Sequence, residues 1–446
     1  MAADLDIAVV GAGVAGLAAA NALRRAGREV RVFEAAEHVG GRMTTVRQHG
    51  YRIDSGAEQL SGQGYQVTWR WLRELGVPAA DVPRIGHDIG VWRDGRAHPG
   101  LAHPRALLTG AGLSGRARLD LAKFLAYTGS RRREFDPDHP ESTPLGLATV
   151  DDLASRQHPD LGDYQWRPVV SSFFGWHPDR SAAAPFVCLL AAVGTTTHWR
   201  TYRDGMDTLA RRLAERVEVS TGAAVEEVIG NGDDDARLVV AGSTLTARSV
   251  LLCVPAPVAL RLYRNPPEHE RPYLAASGYT PMLKVACLTD RPLAPRCARP
   301  LYALLTPGGG PLAGLIIDHA KHPARVPAGR GLITLIAAPA AMADLLDAPD
   351  AEVADRLIAP AERYVPGLRT ATTETLVHRF RHGLPEVTPA ALARRAEFMA
   401  RPTSPVDYAS DWVMARPNSE GALRAADLAV ARLLARQDAT VAKELI

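Results

Sequence analysis

An α/β fold with two domains is predicted from three observations. Residues 7–34 read as strand, glycine turn, helix and strand. A second set of strand-like runs falls between residues 283 and 337. The chain's 446 residues, 46% hydrophobic and 23% charged, are ample for two cores. In chain order, the apolar run Ile7-Ala8-Val9-Val10 stops at Gly11-Ala12-Gly13-Val14-Ala15-Gly16. It opens into the helical segment Leu17-Ala18-Ala19-Ala20-Asn21-Ala22-Leu23 and returns as Val30-Arg31-Val32-Phe33-Glu34. Gly11 permits the tight turn, Gly13 lets backbone approach a pyrophosphate, and Gly16 lets helix and strand pack closely. Phosphates would sit on the helix N-terminus, where unpaired N–H groups point at them. Glu34 falls at the spacing expected of a carboxylate that accepts from ribose hydroxyls. Strand, turn, helix and acid agree, so a Rossmann-type unit for an adenine dinucleotide is predicted.

Further along, residues 224–229 and 237–240 read as two strands joined at Asn231-Gly232-Asp233-Asp234-Asp235, a hairpin tip by its turn chemistry. Residues 283–289, 301–305, 312–317 and 331–337 read as strands of a mainly antiparallel sheet.

Composition excludes several functions. With 52 basic and 49 acidic side chains, the net charge is +3. No basic stripe supports nucleic-acid binding. Arg131-Arg132-Arg133, the densest basic run, reads as a solvated turn. The longest apolar stretches fall short of a membrane span, and the first of them is the Rossmann strand itself, so no leader is expected. The cysteines Cys188, Cys253, Cys287 and Cys297 lack metal or disulfide spacing. They read as apolar residues of a reduced, cytoplasmic protein. The scattered histidines, including His319 with His322 and His378 with His382, read as solvated or capping groups, and no metal is expected.

The residues after Glu34 narrow the cofactor. Ala35-Ala36-Glu37-His38-Val39-Gly40-Gly41-Arg42-Met43-Thr44-Thr45 resembles the GGR(x)T fingerprint of FAD enzymes in the flavin amine oxidase superfamily. Tyr51-Arg52-Ile53-Asp54-Ser55-Gly56-Ala57 resembles that family's strand and turn beside the flavin. At the far end, Tyr408-Ala409-Ser410-Asp411-Trp412 resembles its F/Y-A-G-D strand, and Ser419-Glu420-Gly421-Ala422 its E-G-A helix start. Tyr202-Arg203-Asp204-Gly205-Met206 is similar to its GG-M helix start, and Ser249-Val250-Leu251-Leu252-Cys253-Val254-Pro255 to its V-I-x-A-x-P strand. The resemblance implies non-covalent FAD, since covalent relatives use a cysteine near the C-terminal motif and none follows Cys297. It implies cofactor contacts at Gly11, Gly13, Ala15, Gly16, Glu34, Ala35, Gly41, Arg42, Met43, Gly56, Ala57, Val225, Asp411, Ser419, Glu420 and Ala422. It also implies a discontinuous plan: a GR2-like FAD-binding domain over residues 1–77, 199–262 and 396–446, and an α+β substrate domain over 78–198 and 263–395.

The chemistry is expected to turn on Lys284, within Thr280-Pro281-Met282-Leu283-Lys284-Val285. The segment resembles the family strand whose lysine reaches flavin N5 through a water. An ammonium there assists electron transfer to O₂, where negative charge develops. Glu58 is a second candidate, to orient or deprotonate a substrate nitrogen or else to cap a helix. Asn418 stands where the family usually places one of two aromatic rings beside the flavin, and Arg379-Phe380-Arg381-His382-Gly383-Leu384-Pro385 looks closer to protoporphyrinogen oxidase-like members. The expected activity is oxidation of an amine or amide to an imine with O₂ giving H₂O₂, on a bulky substrate of specialised metabolism. A desaturase of protoporphyrinogen oxidase or carotenoid type, and a flavoprotein coupling oxidation to cyclisation, are the alternatives. The expected partners are a small-molecule substrate and O₂, with a homodimer possible.

Overall fold

The strand Leu5–Val10 lies inside a seven-stranded sheet of a computed structural model that describes residues 3–232, 234–308 and 310–444. It pairs in parallel with Val30–Phe33 on one side and with Ser243–Leu252 on the other. The hairpin Val225–Asn231 and Asp235–Val240 extends the sheet past Ser243–Leu252, Val219–Ser220 extends the other edge, and Val406–Tyr408 pairs with the end of Ser243–Leu252. Asp233, in the predicted hairpin tip, lies outside the described residues.

Alternation along the first strand explains the layers. Ile7 and Val9 face one core with Leu17, Ala18 and Leu23 of the helix Val14–Arg25, while Ala8 and Val10 face the opposite core. A strand buried on both faces reads as a continuous apolar run, as this one does. The helix Ser419–Glu444 covers Val14–Arg25 through Leu423, Ala426, Val430 and Leu433.

A second seven-stranded sheet runs in the order Thr372–Glu386, Gly278–Thr289, Gly331–Ala337, Leu312–Ile317, Leu301–Leu305, Asp88–Arg93 and Arg96–Pro99. Every pair is antiparallel except Leu301–Leu305 with Asp88–Arg93. One face packs on Val353, Leu357 and Ile358 of the helix Asp350–Ala361, the other on the helices around residues 150–193. The predicted α/β architecture and mainly antiparallel second sheet are both present. No helix among the described residues is long and apolar enough to cross a membrane. Arg131, Arg132 and Arg133 are exposed, as expected of a solvated turn.

Candidate active site between the two sheets

The glycine turn builds the first wall of a cavity of about 700 Å³. A Cβ on Gly16 would lie 2.0 Å from the Gly11 carbonyl oxygen, so the helix can start against the strand only with glycine there. A Cβ on Gly13 would meet nothing within 4 Å, because that residue faces the open cavity. Behind the turn, Glu34 accepts from the Ala12 amide at 2.6 Å and the Ala36 amide at 2.9 Å.

Two distant segments close the middle of the wall. Arg42 donates to both Asp411 oxygens at 2.8 Å and to the Gly383 carbonyl at 3.1 Å. Tyr279 donates to the same carboxylate at 3.2 Å. Burial pulls the Arg42 pKa down, but Asp411 and Tyr279 more than offset it, so the guanidinium stays charged. Bidentate pairing in a shielded site is strong and directional. A Cβ on Gly56 would come within 2.1 Å of the Arg42 carbonyl, so this turn also needs glycine. The two glycine-rich motifs thus lock together.

Lys284 lies on the cavity wall and is only 3% exposed. Its ammonium donates to the Gly56 carbonyl and to Glu58 Oε1. An ammonium has three donors, so one N–H is left beyond these two bonds. Glu58 Oε2 accepts from Lys321 at 2.6 Å. Lys321 also pairs with Asp54 at 3.1 Å and Asp318 at 3.0 Å, and Arg325 pairs with Asp54 at 2.9 Å. Burial would raise the Asp54 pKa, yet Arg325 and then Lys321 hold it well below the ordinary range. Burial would lower the Lys321 pKa, but Asp318, Glu58 and Asp54 raise it. Three carboxylates and three cations therefore balance in a buried cluster, the condition under which burying charge is tolerable. Asp54, Glu58 and Asp318 are close enough to share a cation. Lys321 already sits among them.

His378, opposite Lys284 in the strand register, is largely buried, and its Nε2 has no hydrogen-bond partner. Burial first, and then the Lys284 charge, depress its pKa to about 4. The expectation that His378 is solvated or capping is corrected: the pairing of Gly278–Thr289 with Thr372–Glu386 turns it inward. Glu58 is likewise not a helix cap but an ion-pair bridge. His322 does cap, accepting from the Ala324 amide at 3.1 Å.

The structure brings Gly11, Gly13, Ala15, Glu34, Ala35, Gly41, Arg42, Met43, Gly56, Ala57, Val225, Asp411, Ser419, Ala422, Glu58 and Lys284 to this one cavity. Gly16 and Glu420 do not line it. Gly16 packs behind the turn. Glu420 is fully buried and accepts from the Val67 and Thr68 amides, the Thr68 hydroxyl and Arg424, at 2.8–3.1 Å. Sequence reasoning missed Asp54, Asp318, Lys321 and Arg325: Asp318 and Lys321 pair locally, but Lys321 and Arg325 meet Asp54 and Glu58 from more than 250 residues away.

The residues present fit FAD. Gly13 leaves backbone open to the cavity beside a helix start, the arrangement that suits a pyrophosphate. On the same wall, Asn418 Nδ2 and Gln59 Oε1 are buried without partners, as polar atoms are when a ligand is to complete them. Much of the remaining wall is apolar and aromatic, including Phe173, Phe174, Leu189, Trp199, Ile336 and Phe380.

Comparison with known proteins agrees with this geometry. The family of flavin-containing amine oxidoreductases matches residues 14–434. The monoamine oxidase candidate AofH of Mycobacterium tuberculosis is 41% identical over 140 residues, 30% of each chain. Polyamine oxidase 3 of Oryza sativa is 27% identical over 260 residues, 55% of this chain and 51% of that one. The alignments thus span about a third to a half of these relatives. Among solved structures, putrescine oxidase bound to putrescine has a TM-score of 0.78 at 19% identity, covering 97% of this chain and 99% of that one. Cyclohexylamine oxidase from Brevibacterium oxydans has 0.78 at 16% identity, covering 98% and 100%. The chain belongs to the flavin-containing amine oxidoreductases, an oxidoreductase family whose cofactor is FAD.

Proposed function

We propose that this protein is an oxidase that removes hydride from a carbon bonded to nitrogen in a bulky, largely apolar amine or amide. The products are the imine and, from O₂, H₂O₂. The observation that carries the reading is the buried Lys284 ammonium on the cavity wall, with one N–H to spare. Bound FAD supplies the hydride acceptor and the route of electrons to O₂. Gly11, Gly13, Ala15, Glu34, Ala35 and Val225 would hold its ADP half. Gly41, Arg42, Met43, Gly56, Ala57, Asp411, Ser419 and Ala422 would hold the remainder, with the segments 1–77, 199–262 and 396–446 as the cofactor domain. The fixed positive charge of Lys284 favours the negative charge that develops on oxygen as it is reduced. Phe173, Trp199 and Phe380 exclude water and orient the substrate by apolar contact.

The same wall argues against a diamine. Its acids among the described residues are Glu34, Glu58 and Asp411. Glu34 is the acid assigned to the cofactor, Glu58 is shared by two lysines and Asp411 is paired with Arg42, so each acid already has a partner other than a distal ammonium. Asn418, whose Oδ1 accepts from the Gly421 amide at 2.9 Å, supports a second reading, a desaturase that passes electrons elsewhere, because it takes the place of an aromatic ring. Peroxide release across amines, amino acids and amides separates the two. Bulky apolar amines are expected to give peroxide, with the small amines putrescine and benzylamine poor. A donor that bleaches the flavin in air without peroxide would favour the desaturase.

A further inference from the structure

Lys321 has no part in the proposed chemistry, yet it is a buried cation anchored behind the cavity. Its ammonium donates to Asp54 at 3.1 Å and to Glu58 at 2.6 Å, and it pairs with Asp318 at 3.0 Å. It is 2% exposed and does not line the cavity. Glu58 has one oxygen on Lys321 and the other on Lys284, so it is fixed from behind and fixes the group in front. Lys284 needs such a hold, because a four-carbon stem places its charge poorly by itself. The single negative charge of Glu58 is also divided between two ammoniums.

We propose that Lys321 is a positioning residue: acting through Glu58, it sets the direction of the Lys284 ammonium and tempers how tightly that ammonium is held. The inference rests on the reading of Lys284 as the cation that serves the cavity. The other groups around this pair are His378 on the neighbouring strand, Tyr302, which senses the Glu58 charge, and Arg325 on Asp54. None of these shares the second oxygen of Glu58.

Two changes should move Lys284 in opposite directions, which loosened packing would not do. The readout is reductive methylation of the holoenzyme with formaldehyde and cyanoborohydride as the hydride donor, followed at the Lys284 peptide by mass spectrometry across pH. Only the uncharged amine reacts. Glu58→Gln removes the negative partner, so the labelling midpoint should fall by about one pH unit. Lys321→Met alone would leave Asp318 without its cation, so it is combined with Asp318→Asn, which keeps the cluster neutral. That variant gives Lys284 sole use of Glu58, and the midpoint should rise by about one unit. Midpoints that stay put or move together would overturn the proposal. In the wild-type protein Lys284 should take label and Lys321 none, and label on Lys321 at the Lys284 level would overturn it as well. Opposite shifts combined with unchanged reoxidation in Lys284→Met would keep the positioning and remove only the oxygen-reduction role.

Discussion

A single ammonium separates the two readings of the cavity. If Lys284 serves oxygen reduction, Lys284→Met should slow reoxidation of the reduced flavin by about 10²-fold, the worth of one well-placed electrostatic group. Reduction by substrate should change far less. Stopped-flow reoxidation at the wild-type rate would remove Lys284 from the step and move weight to the desaturase. Lys284 stood out in the sequence because it interrupts an apolar strand. Its company did not: Asp54, Glu58, Asp318, Lys321 and Arg325 meet across more than 200 residues, and no local spacing announces such a meeting. His378 was hidden for the same reason, and it carries its own test. Its folded pKa of about 4 lies below the ordinary 6.5, so between these values the unfolded chain binds a proton that the folded chain refuses. Stability should therefore fall as pH drops from 6.5 towards 4, by up to about 3 kcal/mol from this group. Denaturant melts of His378→Gln should show a flatter dependence across that window. An unchanged slope would mean that the ring is protonated in the fold.

Among the elements, strands were the most legible. The runs at 301–305, 312–317 and 331–337 are strands over those same residues, because each is almost wholly apolar and ends in turn-forming residues. The E-G-A helix start was legible as a helix but not in what its acid does. The helix Gln66–Glu74 begins after Tyr65, which offers it no side-chain cap. Its first N–H groups take the Glu420 carboxylate instead, from the start of a helix some 350 residues away. The C-terminal helix is thereby tied to the wall that carries Tyr65. Removing a fully buried carboxylate that satisfies two amides, a hydroxyl and Arg424 should be costly. Glu420→Ala is expected to lose on the order of 3 kcal/mol of stability. Chemical denaturation would measure it, and a loss under about 1 kcal/mol would show that water replaces the cap.

At the scale of the whole molecule, the cavity joins what the chain keeps apart. One side is built from Val10, Phe33 and Val225 of the first, mixed sheet, the other from Met282, Lys284, Ile336 and Phe380 of the mainly antiparallel one, with the C-terminal Asn418 and Ser419 between. A ligand filling it binds the folded chain and not the unfolded one, so stripping the flavin should lower stability by about 2.7 kcal/mol at a free cofactor level 100-fold above Kd. The hold should nonetheless be non-covalent. The one cysteine on the described wall is Cys253, whose Cβ would lie 3.2 Å from a Cβ on Gly16, against the glycine turn. Burial pushes its thiol pKa up, which leaves it a poor nucleophile. Acid precipitation should therefore leave all the flavin in the supernatant, and the apo protein should regain its melting temperature when FAD is returned. Yellow colour retained in the pellet would mean a covalent link, with Cys253→Ala the variant to locate it.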